Sequence, residues 1–461
     1  MLSLAHARCR SRALVLRAVL LGLSIVPIAC GENRVAAPRV PGNIVITSGN
    51  AQRGSPGQPL ARPIVVVVRT AVGEPVPGVR VTWFASDGGR LDPPSSVSDA
   101  NGIVAATWTL GPVWTHRGRA VADGYADAEF RASIDINAEL PLNVLLPLPL
   151  KTYDGSGQAV HPDFVATGPA WTHRSQYLFI TPYPNGNATF ENPSIFESEL
   201  PVEWTVPDGV INPIVSPREG YFSDPDALYV AERNEIWLYF RQVTSENIIS
   251  LTTTADGVTW TPPVIVAHAP NHEVISPSVV RRAPNEWLMW SVNGNVGCTG
   301  ASTTVELRRS SNGVDWSKPQ TVDLTQPGFS PWHIDVEWIA SRGEFWALYN
   351  VKTSGSCTTS AVYLATSKDG VQWTTFPSPV LARGAIDELR DVVYRSTFSY
   401  DESSDVITFW YSGARVDALI FQWRSAVQRR RREALFATIS APAVAASPAY
   451  QMALPALTNF P

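Results

Sequence analysis

The phrase Thr254-Ala-Asp-Gly-Val-Thr-Trp260 returns as Ser310-Ser-Asn-Gly-Val-Asp-Trp316 and as Ser367-Lys-Asp-Gly-Val-Gln-Trp373. Together with Trp204, the closing tryptophans are separated by 56, 56 and 57 residues. Asp-Gly or Asn-Gly supplies the positive φ angles of a tight hairpin turn, and the preceding Ser or Thr can hydrogen-bond into that turn. We expect each Trp to begin the next strand and to pack over its own hairpin. A repeat of this length, built from short strands, predicts a propeller or a solenoid.

The segments that precede each phrase also repeat, and they give the number of units. Each unit opens with one strand-like segment and continues with an aromatic one. The openings are His161–Phe164, Asp224–Ala227, Ser276–Val279, His333–Val336 and Tyr394–Thr397. The aromatic segments are Tyr177–Ile180, Trp237–Phe240, Trp287–Trp290, Phe345–Tyr349 and Phe409–Tyr411. Five units of about four strands each fit a β-propeller. We therefore predict an all-β chain with a five-bladed propeller over residues 151–438.

Residues 41–137 predict a separate, smaller β-sandwich. Short β-rich segments alternate there with turn signals, a pattern typical of sandwiches. The predicted strands are Asn43–Thr47, Ile64–Arg69, Val79–Phe84, Ile103–Trp108 and Ala128–Ala132. The proline-spaced segment Pro141–Leu150 that follows is either a stiff linker or an edge strand of the propeller.

The sandwich segment resembles the bacterial immunoglobulin-like domain, group 1, known from invasin and intimin. The resemblance is carried by Gly54-Ser-Pro-Gly-Gln-Pro59, Pro75-Val-Pro-Gly-Val79, Ser98-Asp-Ala-Asn-Gly102 and Thr107-Trp-Thr-Leu-Gly111. It implies a spacer that holds the propeller away from a membrane.

Residues 1–29 predict a secretory signal, because arginines precede an apolar stretch from Ala13 to Ile28 that ends in small residues. The run Ile28-Ala-Cys30 resembles a bacterial lipoprotein signal, which implies a lipid on Cys30; ordinary secretion is the alternative. We therefore expect an exported protein, either an outer-membrane or cell-surface lipoprotein or a secreted one. The only membrane contact expected is the lipid anchor.

The charge balance of 36 Lys+Arg against 41 Asp+Glu argues against a nucleic-acid partner. The basic run Arg429–Arg432 predicts a solvated loop, and Ala434–Ala437 predicts a final strand. The Ala/Pro-rich tail, 440–461, predicts a segment without structure of its own.

Two cysteines outside the leader, Cys298 and Cys357, follow the aromatic strands of consecutive units. Equivalent loops of neighbouring blades lie close in space, so in an oxidising compartment they predict a disulfide. The alternative, two free thiols or half of a metal site, lacks the further Cys or His that a closed site needs. We predict no metal and no cofactor.

The opening strands bring polar residues to the central funnel of the predicted propeller. Residues i and i+2 share one face of a strand, so clusters of carboxylates and imidazoles are expected there. The residues are His161, Asp163, Asp224, Asp226, Ser276, Ser278, His333, Asp335, Glu337 and Arg395. Glycoside hydrolysis uses such carboxylates, one as acid and one as base or nucleophile.

The x-Pro openings, aromatic strands and repeated hairpins resemble the five-bladed glycoside hydrolases of families 43 and 32. In that resemblance an Asp before Pro opens the first blade as base, a second Asp-Pro opens the next, and a Glu near Gly-Pro is the acid. Asp224-Pro225 matches the second position. The first position holds His161-Pro162, with Asp163 two residues later, and the third has no Glu.

The resemblance therefore implies Asp163 as general base and Asp224 as the residue that orients the sugar. The predicted acid is Glu191 or Glu273, in that order, with Glu337 third. The residues expected to bind sugar are His161, Asp226, Tyr183, Asn192, His333, Asp335, Glu337, Arg395 and Trp332.

Two functions follow from this pattern. The first is a surface-anchored or secreted glycoside hydrolase acting on glycans. The second is a non-catalytic propeller that binds glycan or protein, displayed on the Ig-like spacer. The sugar and the linkage stay open at this point.

Overall fold

The computed structural model describes residues 42–442 apart from 87, 135–141, 200–202, 301, 357–358 and 419. These residues form 31 strands, three short 3-10 turns (Pro184–Gly186, Ala188–Phe190 and Asp387–Leu389) and one α-helix, α1 (Arg432–Ser440). The predicted all-β fold class is confirmed. The secretory signal, Cys30 and the tail beyond residue 442 lie outside the described residues, so export and lipidation stay predictions.

Ten strands form the N-terminal β-sandwich: β1 (Gly42–Ser48), β2 (Gln52–Gly54), β3 (Ile64–Arg69), β4 (Arg80–Ala85), β5 (Arg90–Asp92), β6 (Ser95–Val97), β7 (Ile103–Thr109), β8 (Thr115–Val121), β9 (Tyr125–Ala126) and β10 (Ala128–Ile134). One sheet has the order β5-β7-β3-β1-β9 and the other β2-β10-β8-β4-β6. Trp108 meets Phe130 edge-on in the core at 5.1 Å between ring centroids. Membership of the group 1 bacterial Ig-like family stays a prediction.

Strand β8 was not predicted from the sequence, and its inward-facing residues explain why. His116, Gly118 and Ala120 alternate with exposed residues along this strand and point inward. None of the three is a strongly apolar strand former, so the hydrophobic alternation is weak. Gly118 is needed there, because a Cβ at this position would lie 2.1 Å from the Phe130 ring.

Five sheets follow in chain order and form the five blades. The first blade consists of β12 (Ala159–Ala166), β13 (Gln176–Pro182) and β14 (Ser194–Ser198). The second consists of β15 (Tyr221–Val230), β16 (Glu235–Val243), β17 (Glu246–Thr254) and β18 (Val264–Pro270), and the third of β19 (Ile275–Ala283), β20 (Glu286–Asn293), β21 (Thr304–Ser310) and β22 (Gln320–Thr321).

The fourth blade consists of β23 (Ser330–Ile339), β24 (Glu344–Lys352), β25 (Thr359–Ser367), β26 (Thr374–Thr375) and β27 (Leu381–Ala382). The fifth consists of β28 (Val392–Val393), β29 (Thr397–Asp401), β30 (Val406–Asp417) and β31 (Ile420–Arg431).

The fifth blade takes one strand from the other end of the propeller. β11 (Leu145–Leu148) precedes the first blade in sequence, yet it pairs antiparallel with β31 of the last blade. The predicted choice between a linker and an edge strand is thus resolved in favour of the strand. Leu146 and Leu148 are buried beside Trp410 and Val427.

The repeated phrase builds the turn as predicted, but its Trp packs elsewhere. In the second blade, Thr254 Oγ1 accepts from the Gly257 amide at 2.9 Å, and Gly257 has φ +77°. Trp260 lies outside any strand and meets Phe179 of the preceding blade edge-on at 5.9 Å. Trp316 and Trp373 repeat this contact with aromatic residues one blade back. The expectation that each Trp packs over its own hairpin was wrong, and the phrase joins neighbouring blades.

Replacing Gly370 by Ala is expected to lower the free energy of unfolding by about 2–5 kcal/mol. The residue has φ +75°, which costs an L-residue about 1–2 kcal/mol, and overpacking adds about 1–3 kcal/mol. A Cβ there would lie 2.6 Å from Trp290 Cζ2. Gly328→Ala is the matched control, because Gly328 has φ +78° but open space around it. Urea unfolding should separate the two variants; equal losses would contradict the packing role of Gly370.

Two predictions at the C-terminal end were wrong. Ala434–Ala437, predicted as a strand, lies within α1, which buries Leu435 and Ile439 against the last blades. The basic run, predicted as a loop, continues β31 as far as Arg431, and Arg432 pairs with Asp405 at 2.6 Å. Among the described residues, no helix combines the length and apolar character needed to cross a membrane.

Candidate functional site

A repeated backbone irregularity places the site residues. The inner strands β12, β15 and β19 each contain a register shift around an x-Pro pair. The residue before that proline has positive φ: His161 (54°), Asp224 (50°) and Ser276 (49°). A residue before proline normally prefers extended angles, and such strain is concentrated at functional sites.

The five blades each contribute one residue to what we call the upper layer, and its centre is Asp224. Asp224 Oδ1 lies 3.5 Å from His161 Nε2 and 3.2 Å from His333 Nδ1, and it accepts from Ser276 Oγ at 2.9 Å. Tyr394 completes the layer, with its ring 4.3 Å from that of His333 and 5.3 Å from that of His161. Both histidines and Asp224 are almost fully buried.

Three of these residues have the geometry of a metal-ligand set. Ligand atoms of His161, Asp224 and His333 all lie within 4.8 Å of one another. In a tetrahedral site with bonds of about 2.1 Å, neighbouring ligand atoms lie about 3.4 Å apart. The two distances to Asp224 Oδ1, 3.5 and 3.2 Å, fall on either side of that value. This set could hold a divalent transition ion.

A second set of residues orients two of the three possible ligands, His161 and Asp224. His161 Nδ1 is 3.0 Å from Thr181 Oγ1 and 3.6 Å from Glu191 Oε2, while its Nε2 makes no hydrogen bond among the described residues. Asp224 Oδ2 is 2.9 Å from Arg241 Nη2. Partners of this kind fix the tautomer and direction of metal ligands.

The electrostatics of the upper layer suit metal binding. Burial holds the pKa of both His161 and His333 below the usual range, which favours neutral imidazoles. Burial opposes ionisation of Asp224, but His161 and then Arg241 outweigh it and hold the pKa of this carboxyl well below its usual range. Metal ligands must be deprotonated, and these pKa directions meet that condition.

The residues two positions further along the inner strands form a separate, lower layer. Ligand atoms of Asp163, Asp226 and Asp335 lie within 4.8 Å of one another, and Arg395 Nη2 is 3.7 Å from Asp163 and 3.5 Å from Asp226. Burial raises the pKa of Asp163 and Asp226 well above the usual range, and that of Asp335 to about 6. The structure thus places the two predicted partners, Asp163 and Asp224, in different layers.

The other predicted site residues lie at the upper layer, at the cavity or outside both. Glu191 lies beside His161, and burial, then Asp224, raises its pKa well above the usual range. Glu337 lines the cavity below the lower layer. Glu273 is half-buried and influences Arg308 rather than the upper layer. The predicted sugar-binding residues Tyr183, Asn192 and Trp332 are buried around the upper layer or its neighbouring loops.

Cys298 is disulfide-bonded. Because Cys357 lies outside the described residues, the predicted Cys298–Cys357 pairing stays a prediction.

The ligand set was not predicted, although the sequence contains a signal for it. The three residues occupy equivalent positions of their opening strands, because each stands two residues before an aspartate: His161, Asp224 and His333. Residues at equivalent positions of different blades meet at the channel axis. Reading across the blades, rather than along each strand, would have grouped two histidines with one aspartate.

No family model matches the chain. The chain is 28% identical over 312 residues to the A type blood N-acetyl-α-D-galactosamine deacetylase of Flavonifractor plautii, a match that covers 56% of this chain and 40% of that protein. It thus spans well under half the length of this curated relative. The crystal structure of an N-acetylgalactosamine deacetylase from F. plautii, in complex with blood group B trisaccharide, superposes with a TM-score of 0.56 at 23% identity, covering 61% of this chain and 92% of that one. A thermostable family-43 glycoside hydrolase matches with a TM-score of 0.44 at 13% identity, covering 59% and 89%. The relatives of this chain include a carbohydrate-active protein, and its fold is that of the F. plautii structure.

Proposed function

We propose that the upper layer is the active site of a metal-dependent deacetylase that hydrolyses the amide of an N-acetylated sugar. The observation that carries this proposal is the set of His161, Asp224 and His333, whose ligand atoms lie within 4.8 Å of one another. The similarity to the F. plautii deacetylase supports the reaction type. Two imidazoles and one carboxylate are ligands that suit zinc and related transition ions.

A divalent ion held there would polarise the amide carbonyl and lower the pKa of a bound water. Arg241 and Ser223 hold Asp224 through its Oδ2 atom, at 2.9 Å each, and so leave Oδ1 directed at the two histidines. Glu191 is a carboxyl beside His161 that is not one of the three ligands. It faces the Nδ1 atom of His161, the nitrogen opposite Asp224, so we assign it the orientation of that imidazole.

The geometry favours amide hydrolysis over the glycosidase that the sequence suggested. A glycosidase needs two carboxylates with the sugar bond between them. Asp163, the proposed base, is buried, accepts from the Ala227 amide at 2.7 Å and faces Arg395. Glu191 and Asp224 contact opposite nitrogens of His161, so an imidazole ring lies between these two carboxylates.

The proposal is tested with p-nitrophenyl N-acetyl-α-galactosaminide, which reports both reactions. We expect acetate to be released without nitrophenol, lost after treatment with dipicolinate and restored by Zn²⁺. Release of nitrophenol that resists the chelator would support the glycosidase instead. Binding of the sugar without either product, with and without added metal, would support the non-catalytic propeller.

A further inference from the structure

A cavity lies below the lower layer, on the side away from the upper layer. Its volume is about 300 Å³. It is lined by the later residues of four inner strands, from Asp163, Asp226, Val279 and Asp335 onward. The inner strands reach the upper layer first and this cavity second, so the two sites lie at different levels of one channel.

The lower layer joins neighbouring blades through one oxygen of each side chain. Asp163 Oδ2 accepts from the Ala227 amide at 2.7 Å, and Asp226 Oδ2 accepts from the Val279 amide at 2.8 Å. Ser278 makes the same bond to the Val336 amide at 2.8 Å. Asp163 and Asp226 therefore each keep a second oxygen for another partner.

The protein matches those second oxygens only through long contacts. Arg395 Nη2 is 3.7 Å from Asp163 Oδ1 and 3.5 Å from Asp226 Oδ1, longer than the 2.7–2.9 Å or so of a charge-assisted hydrogen bond. Asp335 Oδ2 is buried and receives no hydrogen bond from the described residues. Cation binding requires the carboxylates to be deprotonated, and the three ionised aspartates would then exceed the charge of the one arginine by two.

We propose that this cavity binds a hard divalent cation of the calcium class, held by Asp163, Asp226 and Asp335. The ion would balance the formal charge of the three aspartates and Arg395. Calcium takes six to eight oxygen ligands. The aspartates supply three of them, and the cavity has room for several waters, at about 30 Å³ each. Glu337 lines the same cavity and adds a carboxylate on its side.

The ligand chemistry separates this site from the upper layer. The lower site offers only oxygen atoms, whereas the upper set contains two imidazoles. Oxygen-only sites favour calcium and magnesium, and imidazole-containing sites favour transition ions. The inference therefore stands independently of the proposed deacetylase activity.

Terbium luminescence tests the proposal on the full chain after removal of metals with EDTA. Terbium replaces calcium and emits when a nearby aromatic residue transfers energy to it, and Tyr229 and Trp338 line the cavity. We expect sensitised emission that calcium displaces, and one calcium retained per chain in equilibrium dialysis. Asp335→Asn should reduce the emission at least tenfold.

Two variants give the controls. Ser278→Ala removes the same inter-blade bond without removing a carboxylate, and it should keep the emission. His333→Gln disrupts the upper set and should also keep it. Emission from the wild type no greater than from Asp335→Asn would overturn the proposal. If Asp335→Asn does not fold, the His333→Gln variant decides: loss of its calcium in dialysis would place the ion in the upper layer and overturn the lower site.

Discussion

On the proposed deacetylase function, Asp224→Asn is expected to lower acetate release by on the order of a thousandfold. A catalytic metal supplies several kcal/mol of transition-state stabilisation, and each 1.4 kcal/mol or so is a factor of ten in rate. Asp224 is the residue on which the upper layer depends, because its Oδ1 atom contacts both His161 and His333. The amide would remove the negative charge and could turn an NH₂ group toward the imidazoles.

The measurement compares kcat/KM for acetate release with zinc content after dialysis. Asp224→Asn should lose both, and excess Zn²⁺ should not restore the rate. Asp323→Asn is the control, because Asp323 is an exposed aspartate outside the channel. If Asp224→Asn kept its zinc and its rate, the ligand set would be wrong even if the chain proved to be a deacetylase.

Arg395→Met is expected to lower the free energy of unfolding by about 3–5 kcal/mol, the usual cost of removing one partner from a buried charge cluster. The Arg395 side chain is 1% exposed and faces Asp163 and Asp226. Met fills much of the same volume, so the loss reports the charge more than a cavity. An ionised carboxylate of the lower layer would be left without a protein counter-charge.

Urea unfolding in the presence of EDTA measures this loss without a contribution from bound metal. Arg119→Met is the control, since Arg119 is 51% exposed and its pair with Asp127 spans 3.4 Å. A surface pair of this kind contributes about 0–1 kcal/mol. Equal unfolding midpoints for Arg395→Met and the wild type would show that the aspartates are neutralised by something other than Arg395.

The fold could be predicted in the parts of the chain where the sequence repeats. The aromatic strands have strong local signals and were found in every blade, and the hairpin phrase was found in three of the five. Strands such as β8 were missed because their buried face carries His116, Gly118 and Ala120 rather than large apolar side chains. The packing of Trp260 on Phe179 could not be predicted, because nothing in a local phrase specifies which blade the ring meets.

The residues of the site were predicted, but which of them lie together was not. The opening strands named nearly all the channel residues, yet the analysis joined Asp163 to Asp224 in one centre. The register shifts at His161 and Asp224 separate Asp163 from Asp224. In each strand the residue at the shift lies in the upper layer, and the residue two positions later lies in the lower layer. Such shifts depend on pairing with the neighbouring strand, which a single sequence does not display.

The strand that completes the fifth blade has a consequence for how the chain assembles. Leu146 pairs with Val427, residues whose numbers differ by 281. During synthesis the amino-terminal partner of this pair leaves the ribosome first and waits unpaired until nearly the whole propeller has followed. Contacts so distant along the chain form late and slow folding. The earlier blades must therefore persist as an open arc with Leu146 and Leu148 uncovered, and this is the stage at which the nascent chain is most exposed to aggregation.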